Sequence, residues 1–283
     1  MIDVIKDTLF DSIKLLPFLF LAYLLMEYLE HKTGNKTKDI VKKSGKLGPL
    51  WGGIIGIFPQ CGFSAAAANL YAGKIITMGT LIAVFLSTSD EMLPILISEA
   101  APAGLILKIL AIKLVVGIIA GFIIDLVINV IGKTKKVEPE EAVGHMCEHD
   151  HCDCEHGIFK SALKHTINIF IFITIITFAI NTLIHFIGEE TIEKAIAGVP
   201  VLGILVSSIF GLIPNCAGSV IITELYLSNL ISFGSMIAGL LVGSGIGILV
   251  LFKSNKNIKE NLKITGLLML VGIIVGLIID FII

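Results

Sequence analysis

Gly56-Ile57-Phe58-Pro59-Gln60-Cys61-Gly62-Phe63-Ser64 is answered, 155 residues further on, by Gly211-Leu212-Ile213-Pro214-Asn215-Cys216-Ala217-Gly218-Ser219. Working outward in that frame, Leu70, Tyr71, Ile76, Gly79, Ile82, Ala83, Leu86 and Ser89 meet identical residues at Leu225, Tyr226, Ile231, Gly234, Ile237, Ala238, Leu241 and Ser244. Further out, Val116-Gly117-Ile118-Ile119 and Gly121-x-Ile123-Ile124-Asp125 recur as Val271-Gly272-Ile273-Ile274 and Gly276-x-Ile278-Ile279-Asp280. Apolar composition alone can match Ile with Leu. It does not repeat Pro-x-Cys, Tyr, Asp and several glycines in one register. The chain therefore divides into a first repeat over 1–128, a linker over 129–155 and a second repeat over 156–283.

With 55% hydrophobic and 16% charged residues and a mean hydropathy of +0.94, the repeats do not read as soluble domains. Long apolar spans run over 9–29, 75–98 and 104–131, and again over 160–186, 231–251 and 262–283, lengths suited to a hydrocarbon layer about 30 Å thick. Between them, 48–72 and 203–227 are each cut by Pro and Cys. Each arm is only about 17 Å as helix, too short to cross. Broken helices or re-entrant hairpins are expected there, with non-helical backbone shielded by protein or lining a cavity. The N-terminus lacks the basic start and small-residue cleavage site of a signal peptide and reads as a retained helix. Cys61 and Cys216 lie in apolar segments while Cys147, Cys152 and Cys154 lie in the linker, which is no secreted disulfide framework. A net charge of −2 gives no ground for a nucleic-acid partner; the lipid bilayer is the partner composition implies.

Lysines set the orientation. Lys32, Lys36, Lys38, Lys42, Lys43 and Lys46 crowd the loop after the first span, where the second copy has Glu189, Glu190 and Glu193. Conversely, Lys253, Lys256, Lys259 and Lys263 follow the third segment of the second copy, where the first has Glu99, with Lys108 and Lys113 further on. The bias reverses between copies. The expected fold is an all-α integral membrane protein of two inverted-topology repeats of five helices each, with the broken helices meeting near mid-membrane. Both termini then lie outside a plasma membrane crossed many times, and the linker lies in the cytoplasm.

The chemistry is expected at the breaks. Gln60, Cys61, Ser64, Asn215, Cys216 and Ser219 offer amide, thiol and hydroxyl ligands at two proposed hairpin tips, where half-helix ends add backbone charge. The bland alternative is a pair of kinks with small buried cysteines. Ser87-Thr88-Ser89-Asp90-Glu91, closed by Pro94, interrupts the span 75–98, and its counterpart Val242-Gly243-Ser244-Gly245-Ile246-Gly247 is a flexible break without charge. Adjacent carboxylates in mid-span read as functional; the alternative is a cap near the outer surface. Oxygen and sulfur ligands together suit a borderline divalent transition ion. Glu224, opposite Asn69 in the frame, is a candidate relay or an interfacial acid. Asp125, Asp280, Tyr71 and Tyr226 read as interfacial anchors.

The linker holds His145, Cys147, His149, His151, Cys152, Cys154 and His156 among acids. This is a compositional metal signal whose spacing fits no closed zinc fold, and an accessory metal-gathering loop is the reading. Gly132-Lys133-Thr134 lacks the phosphate-loop glycine, since position 127 is Val127. No ATP site and no ATPase subunit are therefore expected.

With Pro59-Gln60-Cys61-Gly62-Phe63-Ser64, Ser87-Thr88-Ser89-Asp90-Glu91-Met92-Leu93-Pro94, Pro214-Asn215-Cys216-Ala217-Gly218-Ser219 and the His-rich loop, the chain resembles the ArsP-like family of ten-helix heavy-metal exporters. Some members are labelled manganese transporters or arsenic efflux proteins. The resemblance spans essentially the whole chain and implies metal export. The leading expectation is a secondary transporter, not an enzyme, exporting a divalent manganese-like ion. It needs no cofactor beyond a transported or regulatory divalent metal ion, and homo-oligomer formation is left open. Efflux of arsenite, another metalloid or an organoarsenical is the alternative within transport; a metal-gated channel or an intramembrane metalloenzyme is the alternative of another class.

Overall fold

A computed structural model of the chain describes residues 47–58, 61–89, 92–131, 158–187, 200–214 and 216–282, with Ile13, Leu16, Pro17, Phe20, Leu21 and Leu24 of the first apolar stretch. Every regular element among them is a helix. The first group is α1 (Gly48–Gly56), α2 (Cys61–Ala72), α3 (Met78–Ser87), α4 (Met92–Ser98) and α5 (Ala103–Ile131). After α6 (Ile158–Ile187) come α7 (Pro200–Gly211), α8 (Cys216–Leu227), α9 (Phe233–Val242), α10 (Gly247–Ser254) and α11 (Ile258–Ile282). The starts of α2, α3, α4 and α5 recur 155 residues later as the starts of α8, α9, α10 and α11.

Local chemistry recurs at the same spacing. Thr77 Oγ1 accepts from the Thr80 amide at 3.1 Å, and Ser232 Oγ from the Ser235 amide at 3.0 Å, so hydroxyl N-caps start α3 and α9. At the ends of α2 and α8, Lys74 and Asn229 take left-handed φ values of 57° and 58°. There the amides of Ile75 and Leu230 reach back to the carbonyls of Leu70 and Leu225, each at 2.9 Å. This six-to-one bond closes the helix end and turns the chain.

Packing follows from side-chain size. Residues Gly79–Ser87 of α3 and Gly234–Val242 of α9 are all buried, and an all-round apolar helix belongs in the middle of a bundle. α5 and α11 instead turn Val115, Ile119 and Leu126, and Ile274, Leu277 and Ile278, outward. Gly79 lies against the Gly121 backbone and Gly234 against the Gly276 backbone, the close approach that small residues permit between membrane helices. Five stretches among the described residues are long and apolar enough to cross a bilayer: Met78–Ser98, Ala103–Val130, Ala162–Ala179, Phe233–Ser254 and Ile258–Ile282.

Asp125 and Asp280, expected near the interface, each cap a neighbouring helix start. Asp125 Oδ1 accepts from the Gly79 amide at 2.8 Å and its Oδ2 from the Thr77 hydroxyl at 2.6 Å. Asp280 takes the Gly234 amide at 2.7 Å and the Ser232 hydroxyl. Each carboxylate thus satisfies the bare amides at a neighbouring helix start. One expectation is corrected: Tyr71 is not an interface anchor facing lipid, because it is buried within the bundle and donates to Glu260. The last helix starts at Ile258, earlier than the apolar run from 262, because Lys259 and Glu260 stand in its first turn.

Candidate functional site

Two interruptions of the second copy and the first meet here. α3 stops at Ser87 and α4 resumes at Met92; α9 stops at Val242 and α10 resumes at Gly247. Around the first break, Ser87 Oγ donates to the Ala83 carbonyl at 2.7 Å and Thr88 Oγ1 to the Val84 carbonyl at 2.7 Å. Both are bonds back onto the preceding turn, and the Val84 carbonyl takes the Thr88 amide at 3.0 Å as well. Ser89 Oγ donates instead to the carbonyl of Ile57, which ties the break to the end of the first hairpin's entering arm.

That hairpin is held at its tip. The rings of Phe58 and Phe63 lie 5.9 Å apart across it, and Ser64 Oγ donates to the Cys61 carbonyl at 2.8 Å. Cys61 and Ser64 are both buried. The second copy then closes on the first: a Cβ added to Gly247 would stand 2.8 Å from the Phe85 ring, 2.9 Å from Ser64 Cβ and 3.0 Å from Ser64 Oγ. Only glycine lets the start of α10 approach the Ser64 tip so closely. Further along, Ser254 Oγ donates to Asn69 Oδ1 at 2.6 Å, so α2 and α10 run side by side in the same direction. On the second copy's own side, a Cβ on Gly243 would lie 3.7 Å from the Gly211 carbonyl at the end of α7.

Of the residues expected to bind, Cys61, Ser64, Ser87, Thr88, Ser89 and Ser244 are buried around these breaks. Ser219 is half-buried on α8. Gln60, Asp90, Glu91 and Asn215 lie outside the described residues, as do the linker residues from His145 to His156; Cys216 opens α8, but its side chain lies outside the description. Among the described residues no three His, Cys, Asp or Glu side chains stand together as a metal site. The relay candidates part company: Asn69 is buried and bonded to Ser254, whereas Glu224 is exposed.

The family model described as "Putative, 10TM heavy-metal exporter" matches residues 1–187 and again 161–283. The chain belongs to this ArsP_2 family. It is a multi-pass membrane protein of a heavy-metal exporter family, and the broken spans just described are those of an ArsP_2 chain. No curated protein and no solved structure matches it.

Sequence reasoning passed over one buried charge near these breaks of the ArsP_2 chain. Lys113 entered only as a loop-side charge, yet it is buried within α5 and its ammonium donates to the Leu240 carbonyl of α9. The available signal was a lysine inside an apolar run whose counterpart in the frame is Leu268.

Proposed function

We propose that this protein is a secondary transporter exporting a divalent transition-metal ion, manganese-like, through a mid-membrane pocket between two inverted repeats. The observation that carries it is the seating of Gly247, at the second copy's break, against Ser64 at the first copy's hairpin tip. Helix directions support the inversion. α3 opposes α5, because Gly79 lies by Asp125 while Ala83 and Ser87 lie by Gly117. α5 accompanies α9, because Lys108 stacks on Phe233 at 4.6 Å and Lys113 reaches Leu240. Counterparts α3 and α9 therefore run in opposite senses, as inverted repeats require. Lys74, Lys253, Lys256 and Lys259 gather where α2 ends and α11 begins; this favours that end as the cytoplasmic one, with the linker on the same side and the termini across the membrane.

In this reading Asp90 and Glu91 supply hard oxygens and Cys61 and Cys216 soft sulfurs, a set suited to a borderline ion. Trivalent arsenic would call for three thiolates, and the two repeats hold only Cys61 and Cys216. The linker gathers ions at the cytoplasmic mouth. The test is flux of metal ions into proteoliposomes by wild type, Asp90→Asn and Cys61→Ser. Saturable flux that falls in both variants is expected. Unchanged flux in both removes the assigned site, and non-saturating conductance makes the protein a channel.

A further inference from the structure

We propose that Lys113 is the tethered cation of the substrate pocket: its ammonium occupies the carbonyl end of α9 while the pocket is empty and gives way when a metal ion enters. This rests on the transport reading and adds to it a residue and a step. The first observation is position. Lys113 is 1% exposed, and its Nζ donates to the Leu240 carbonyl in the last turn of α9. Carbonyls there have no amide from their own helix and hold the negative end of its dipole. One turn along α5, Gly117 packs on the Ala83 carbonyl and on Ser87. Lys113 thus lies at the level where both broken spans give out.

The second observation is asymmetry. Side chains that pack helices within each copy recur in the frame, as Asp125 with Asp280, Thr77 with Ser232 and Gly121 with Gly276. Lys113 does not recur: its counterpart Leu268 is fully buried and apolar. A buried ammonium in a membrane span is costly and marks ion pathways. The third observation is Ser244 Oγ, four residues beyond Leu240, buried and without a hydrogen-bond partner among the described residues. A polar atom is thus left at the break that follows α9, one turn along the chain from the carbonyl that Lys113 holds.

The physical consequence concerns the empty carrier. A pocket edged by helix carbonyl ends is negative, and moving it through low dielectric without a cation is unfavourable. A bound metal ion compensates it on the outward step; Lys113 compensates it on the return. Metal and ammonium compete for the same carbonyls, so neither binds while the other is seated.

The test uses the full chain in liposomes with manganese(II) as probe, comparing net flux into metal-free vesicles with exchange of labelled for unlabelled manganese. Lys113→Met is expected to cut net flux about tenfold or more while exchange stays within about twofold, because exchange skips the empty return. Lys113→Arg is expected to restore net flux. Lys113→Gln, which keeps a donor for Leu240 without charge, carries the same comparison should the Met variant not fold. Unchanged net flux in Lys113→Met overturns the proposal. So does a parallel fall of both rates, which makes Lys113 structural. Wild-type vesicles that move no metal at all overturn the transport reading first, and are told apart because no variant is needed to see it.

Discussion

Tyr71 of the first copy donates its phenolic hydrogen to the carboxylate of Glu260 in the second, and so ties the end of α2 to the start of α11. Lys74 Nζ reaches the same oxygen at 3.3 Å, and next to it Asn255 and Asn261 bond each other through the Asn255 Nδ2 at 2.8 Å and the Asn261 Nδ2 at 2.9 Å. The opposite copy has no such tie, since the counterpart of Glu260 is Leu105 and Tyr226 packs on the Phe233 ring at 5.6 Å. Among the described residues, this polar tie between the copies has no counterpart at the symmetry-related position. A hydrogen bond to a charged group is worth about 1.5–3 kcal/mol; the half-exposed ion pair adds only about 0–1 kcal/mol. Tyr71→Phe and Glu260→Gln are therefore expected to loosen this end and speed maleimide labelling of buried Cys61 by roughly tenfold, measured with Cys147, Cys152, Cys154 and Cys216 replaced. Equal labelling in wild type and both variants would deny the latch any gating role.

The twin carboxylates invite a symmetric test. Asp125 and Asp280 each accept one helix-start amide and one capping hydroxyl, and no partner is shared between them. Asp125→Ala and Asp280→Ala should each lower unfolding stability in detergent by about 1–2 kcal/mol. The double variant should lose the sum to within about 0.5 kcal/mol. A loss confined to one site, or a strongly non-additive double variant, would mean that the two caps are not equivalent.

What the chain discloses by eye depends on the range of the interaction. The frame joining Pro59 to Pro214 and Asp125 to Asp280 anticipates where helices start, because breaks, caps and glycine contacts are local and are copied with the repeat. It does not disclose partners across copies. Ser64 beside Gly247, Tyr71 on Glu260 and Lys113 on Leu240 join residues more than a hundred positions apart, and no periodicity marks them. The capping role of Asp125 was hidden for the same reason: an acid near a helix end shows no partner until the neighbouring amides are known. Lys259 and Glu260 hid the start of α11, since charged side chains sit readily on the first turn of a helix with their stems along apolar surface.

The linker prediction separates gathering ions from moving them. Replacing residues 145–156 by Gly and Ser removes His145, Cys147, His149, His151, Cys152, Cys154 and His156 together. Flux at saturating metal should persist, while half-saturation moves to higher concentration as a loose multidentate tract no longer raises the local supply. Complete loss of flux at every concentration would make the tract part of the transport path.

Glycine contacts decide whether the α3–α5 and α9–α11 pairs can separate. A Cβ on Gly121 would stand 2.6 Å from the Gly79 carbonyl, 2.8 Å from Pro49 Cβ and 3.0 Å from Ala83 Cβ; on Gly276 it would stand 2.7 Å from the Gly234 carbonyl and 2.8 Å from Ala238 Cβ. Backbone on one side and short side chains on the other leave nothing flexible to yield. Overpacking of this kind costs about 1–3 kcal/mol, so Gly121→Ala and Gly276→Ala should both lower the melting temperature in detergent. Gly266, on the same helix as Gly276, has no atom within 4 Å of its added Cβ. There the substitution only exchanges glycine for a better helix former, a gain of up to about 1 kcal/mol. Gly266→Ala should therefore match or exceed wild type in the same measurement. If all three variants melt alike, helix propensity rather than close backbone approach governs these glycines, and the packing of α3 on α5 and α9 on α11 described above is wrong.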